Sequence, residues 1–101
     1  MEQLGLLLVG AVLIVLGSMN WRGNISTIHW YNRTKVTGDD IPKYGRAVGL
    51  GCMLMGAALV LAALLGLFLT EEVTAAVVLV GAVAGLALIL YGQFKYNKGI
   101  F

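Results

Sequence analysis

Charge is what this sequence has least of. Only 12% of its 101 residues are Asp, Glu, Lys or Arg, while 59% are hydrophobic; an ordinary soluble domain is about a quarter charged. Such a composition excludes a water-facing surface over most of the chain. Cysteine and histidine are equally scarce, with one of each. A lone Cys52 excludes both an intrachain disulfide and a cysteine-based metal site, and reads as a small packing residue. A lone His29 excludes a His-His metal pair within the chain. Its sequence neighbours Ser26 and Thr27 come without an oxyanion-hole motif, so it reads as an interfacial histidine and not a catalytic base. There is no low-complexity tract, lipidation motif, internal repeat or Gly-rich phosphate loop followed by Lys-Ser/Thr. These absences point away from an enzyme and from any bound cofactor or metal. The formal charge of +2 does not make the basic water-facing patch that nucleic acid requires, so no nucleic-acid partner is expected.

What the sequence has in abundance is apolar length. Residues 4–21, 47–69 and 73–92 contain no Asp, Glu, Lys, Arg or His. A hydrocarbon core of about 30 Å takes about 20 helical residues to cross, so each run predicts a transmembrane helix. A soluble three-helix bundle would need a polar face on every helix, and these runs are apolar all round. A cleaved signal peptide fits poorly, since the chain opens on Met-Glu-Gln and Gly17-Ser18-Met19-Asn20 is a weak cleavage site. The expected fold is all-α, one integral membrane domain over residues 1–101, with helices over about 4–21, 45–69 and 73–94 and an interfacial segment over 22–44.

The basic residues predict the orientation. Arg22, Arg33, Lys35, Lys43 and Arg46 lie between the first and second helices, and Lys95 and Lys98 follow the third. With three spans those two segments share a side, while Glu2, Glu71 and Glu72 fall on the other. The positive-inside rule puts the basic side in the cytoplasm and the N-terminus outside, as in a bacterial inner membrane. Trp21, Trp30, Tyr31, Tyr44, Tyr91, Phe94, Tyr96 and Phe101 also gather at the basic side, where amphipathic rings suit the headgroup layer.

Small residues mark the expected helix contacts, because helices associate in lipid where their backbones can approach closely. The second helix carries Gly45, Gly49, Cys52, Gly56, Ala63 and Gly66 as one stripe, the third has Gly81 and Gly85, and the first has Gly10 and Gly17. These serve either packing within the chain or contact with a second copy or another membrane protein.

The connection over residues 22–46 holds nearly all the recognition chemistry. Asn24 or Ser26 can cap a short helix carrying Ile25, Ile28 and Tyr31 or Asn32. Thr37-Gly38-Asp39-Asp40-Ile41-Pro42 then reads as a turn and a helix start, with acidic residues and Pro42 in the first turn. Adjacent Asp39 and Asp40 read as capping residues ahead of an acid/base pair or cation site.

Tyr31-Asn32, followed by Thr37-Gly38-Asp39-Asp40 and Lys43-Tyr44, resembles the cytoplasmic signature of short uncharacterised three-helix membrane proteins. More distantly, Trp30, Asn32 and Arg33 leading into the Gly-rich helix from Arg46 to Gly56 are similar to the SdpI/YhfL family. The resemblance spans mainly residues 20–65 and implies a bacterial inner-membrane protein, with immunity to a secreted toxic peptide and signalling as the associated roles. Two functions follow as expectations. One is a non-enzymatic binding or regulatory protein recognising its partner through Trp30, Tyr31, Asn32, Arg33, Asp39, Asp40, Tyr44 and Arg46. The other is a homo-oligomeric channel or transporter packed through its glycine stripes. The three runs are read as lacking the strongly polar residue that marks a membrane pathway, which favours the first.

Overall fold

A computed structural model describes residues 2–22 and 38–97 of the chain. These residues form three helices, α1 (Glu2–Trp21), α2 (Asp40–Leu65) and α3 (Glu71–Tyr96). Each is long and apolar enough to cross a membrane. At 1.5 Å per residue the 20 residues of α1 reach about 30 Å and the 26 residues of α2 or α3 about 39 Å. The longer helices therefore exceed a typical hydrocarbon core. Leu8, Val12 and Val15 on α1 and Leu79, Val80 and Val83 on α3 are all exposed, a surface compatible with lipid contact and unsuited to water.

Helix α2 is the centre of the molecule. It packs along both α1 and α3, which scarcely touch each other. Glycine makes this possible on two faces. On one, Gly49 meets Gly17 and Gly56 meets Gly10, so close that a Cβ built on Gly56 would lie 2.6 Å from the Gly10 carbonyl oxygen. On the other, a Cβ on Gly51 would lie 2.6 Å from the Gly85 carbonyl oxygen, and Gly81 sits against Ala58. Gly49 and Gly51, two residues apart, point about 200° apart around a helix that turns 100° per residue. Gly49 and Gly56 of the expected stripe thus meet α1, and Gly51, outside that stripe, builds a second, opposed face toward α3. Gly45 is buried with them. Cys52 is half-buried beside the Tyr44 and Val48 core.

The helix limits differ from the apolar runs at both ends of α2. It starts at Asp40, with Asp40 in the first turn and Pro42 just behind it. Polar side chains there cost the helix nothing, because its hydrogen bonds are backbone bonds, and an acidic residue at the N-terminus suits the helix dipole. Gly38 takes a φ of 58°, the left-handed region where glycine is at home, and its carbonyl accepts from the Ile41 N–H at 3.2 Å. At the other end α2 stops at Leu65 although the sequence stays apolar, since residues 66–70 reverse the chain. Phe68 at that turn is 85% exposed. Helix α3 then begins on Thr70, whose hydroxyl oxygen accepts from the Val73 N–H at 3.4 Å, with Glu71 and Glu72 in the first turn.

Candidate functional site

The antiparallel order brings the C-terminal ends of α1 and α3 to the N-terminal end of α2. Arg22, Lys43, Arg46 and Lys95 consequently share one end of the molecule, and Glu71 and Glu72 stand at the other. The basic end holds a buried polar layer. Asn20 on α1 is 2% exposed, Tyr44 on α2 0%, Gln93 on α3 5% and Asn97 at the α3 C-cap 0%. The Tyr44 hydroxyl donates to Gln93 Oε1, tying α2 to α3. Asn20 lies against Gly49, its Cβ 3.1 Å from where a Gly49 side chain would start. Gln93 and Asn97 are one helical turn apart on the same face, and the Asn97 N–H donates to the Gln93 carbonyl at 3.1 Å. All four side chains have partners, and among the described residues no buried side-chain nitrogen or oxygen is left unsatisfied.

This layer corrects the expectation that the spans hold no strongly polar residue, for Asn20 lies within the first apolar run and Gln93, just past the third, lies within α3. A buried amide in an apolar surround needs a hydrogen-bond partner, and for Gln93 that partner, Tyr44, comes from the neighbouring helix. The signal in the sequence was modest: Asn20, Gln93 and Asn97 all fall at ends of apolar segments that a three-helix topology brings to one side. Tyr44 belongs to the same layer. Expected on a recognition surface, it is fully buried, because it lies on the α2 face turned toward Gln93.

Of the other residues singled out from sequence, Trp30, Tyr31, Asn32 and Arg33 lie outside the described residues. Asp39 is exposed at the α2 N-cap without a side-chain capping bond, and Asp40 is half-buried. Among the described residues no group of three His, Cys, Asp or Glu comes together. Arg46 is exposed and, with Lys43, lines a recess of about 320 Å³ walled by Trp21, Tyr91 and Tyr96. Tyr91 and Tyr96 meet edge to face with centroids 6.2 Å apart. Lys95 Nζ donates to the Tyr91 hydroxyl at 2.9 Å and lies 5.3 Å from the Tyr91 ring centre and 5.7 Å from that of Tyr96, within cation-π range of both.

Among the described residues, the fold and this end together define an all-helical structure with three potential membrane spans, a buried amide-tyrosine layer and a cationic, aromatic rim. Comparison with family models, curated proteins and solved structures gives no match.

Proposed function

We propose that this chain is a small bacterial inner-membrane protein, N-terminus outside and C-terminus in the cytoplasm, that works by binding and not by catalysis. Its role is regulatory or immunity-like, and its recognition surface is the basic end. The observation that carries this reading is the sorting of chemistry along the molecule: Lys43, Arg46, Lys95, Arg22, Asp39 and Asp40 at one end, Glu71 and Glu72 at the other, and Leu, Val, Ala and Gly between. The positive-inside rule turns that sorting into an orientation. The resemblance of residues 20–65 to the SdpI/YhfL layout supports the immunity-like role. By residue type, Trp30, Tyr31, Asn32 and Arg33 bring aromatic and hydrogen-bonding chemistry to the same connection in the sequence as Asp39 and Arg46, which are exposed, and the buried Tyr44 supports the α2 end of it from within. The channel or transporter reading draws less support, because the glycines it would use between copies face α1, α2 and α3 of the same chain.

Orientation is tested in a Cys52→Ala background. An impermeant maleimide applied to intact cells is expected to label Glu72→Cys and to leave Lys98→Cys unlabelled; the reverse pattern inverts the topology. The binding role is tested with the triple variant Trp30→Ala, Tyr31→Ala, Asn32→Ala, which keeps every charge. Partner retention in mild detergent, or protection of cells against a toxic peptide, is expected to fall at least tenfold. Retention of both by the variant, together with ion flux through vesicles containing the unmodified protein, would replace the binding reading with the channel.

A further inference from the structure

The recess at the basic end does not stop at the headgroup level. Below its cationic rim the floor is apolar, made by Leu50 and Leu88. Farther along the seam between α2 and α3 runs a second, almost wholly apolar groove of about 540 Å³, lined by Leu54, Ala57, Leu61, Val77 and Val80. The two are continuous on α2: Arg46, Leu50, Leu54, Ala57 and Leu61 follow one another at steps of four, four, three and four, the spacing of a single helix face. From Arg46 to Leu61 the helix rises about 22 Å at 1.5 Å per residue, more than the about 15 Å of hydrocarbon in one leaflet.

We propose that this seam is a binding site for one anionic phospholipid, its phosphate held by Lys43 and Arg46 and one acyl chain lying along Leu50, Leu54, Ala57 and Leu61. Lys43 and Arg46 line the recess and Lys95 stands on the Tyr91 and Tyr96 of its wall, while Asp39 and Asp40, at the start of α2, are not among its lining residues, so the charge balance there favours an anion. Lys95 is already drawn onto Tyr91 and Tyr96, which leaves Lys43 and Arg46 as the rim cations for the phosphate. Trp21, Tyr91 and Tyr96 supply the amphipathic wall that suits the depth of the glycerol backbone. A water-soluble phosphate would use the rim alone and leave the apolar seam without a role. The inference needs no protein partner and does not depend on which end faces the cytoplasm.

The test uses the full chain in neutral detergent, with lipid adducts quantified by native mass spectrometry. Dioleoyl phosphatidylglycerol is the probe, dioleoyl phosphatidylcholine the neutral-headgroup reference, and glycerol phosphate the headgroup without chains. At the energy typical of a basic residue near a membrane surface, two rim cations correspond to a preference of about thirtyfold for the anionic lipid. The double variant Lys43→Gln, Arg46→Gln is expected to abolish that preference. Arg22→Gln, which removes a charge outside the recess, is expected to change it less than twofold. Ala57→Phe, filling the groove at an exposed position, is expected to weaken both lipids at least fivefold while leaving their ratio intact. An equal loss of preference in Arg22→Gln would mean diffuse surface charge and overturn the site. Glycerol phosphate binding as tightly as the lipid, or Ala57→Phe without effect on either lipid, would overturn the acyl-chain assignment and with it the proposal.

Discussion

Gly49→Leu is expected to separate α1 from α2 and to leave a chain that no longer unfolds cooperatively in a detergent titration. A side chain at Gly49 would meet backbone on the partner helix: the Gly17 carbonyl oxygen, and the Trp21 nitrogen at 2.6 Å. Backbone cannot swing aside as a side chain can, so the helices themselves must move. The contact is mutual, since a Cβ on Gly17 would lie 2.6 Å from the Gly49 carbonyl oxygen and 2.8 Å from the Met53 nitrogen. Even Gly49→Ala should cost about 1–3 kcal/mol, the usual penalty for forcing atoms into a filled interior. In lipid there is little hydrophobic gain to offset a lost close contact, because the alternative neighbour is equally apolar. Gly5→Ala provides the control. Nothing lies within 4 Å of that position, so the substitution should be neutral, or stabilising by up to about 1 kcal/mol through helix propensity. Equal melting of Gly49→Ala and Gly5→Ala would rule out glycine-mediated contact between α1 and α2.

Tyr44→Ala is expected to cost about 3–5 kcal/mol, the range for emptying a buried aromatic position. Its ring forms the core beside Val48, with Ile41, Cys52, Ile89 and Tyr96 around it. Tyr44→Phe keeps that packing and removes only the hydroxyl that Gln93 accepts from. Its cost should be about 0.6–2 kcal/mol, as for interhelical hydrogen bonds in membranes. Gln93→Leu should cost a similar amount by leaving the hydroxyl without its acceptor. The double variant Tyr44→Phe, Gln93→Leu should then cost less than the two singles together, because a buried polar atom left alone is worse than two apolar groups. The measurement is a double-mutant cycle on unfolding in mixed micelles, with helicity as the readout. Strict additivity would mean that the two side chains do not cooperate. Tyr44→Ala matching Tyr44→Phe would remove the ring from the core.

Much of the architecture was legible because it rests on local chemistry. Three runs without a charged residue, each about as long as a bilayer is thick, required three apolar helices; the third was expected from about residue 73, and the structure starts it two residues earlier, on the Thr70 cap with Glu71 and Glu72 in the first turn. The collection of Lys and Arg at one end needed only the count of helices between them. The point at which α2 ends was not legible, because an apolar sequence from Gly56 to Leu69 suits helix and lipid-facing turn alike.

By itself, then, the sequence determined the three long apolar helices of the described residues and the sorting of their charge between the two ends, since each depends on residue type and spacing along one chain. Only the tertiary structure decided which glycines meet. Gly49 and Gly56 turn to α1, while Gly51 turns to α3, a division that depends on how three helices are rotated about their axes. It also decided that Tyr44 is a core residue bonded to Gln93 rather than a surface aromatic, and that Asn20, Gln93 and Asn97 join it in one buried layer. Each of those amides alone looks like a polar residue at a helix end. Close backbone approach at the glycines brings them together, and burial then makes their hydrogen bonds obligatory.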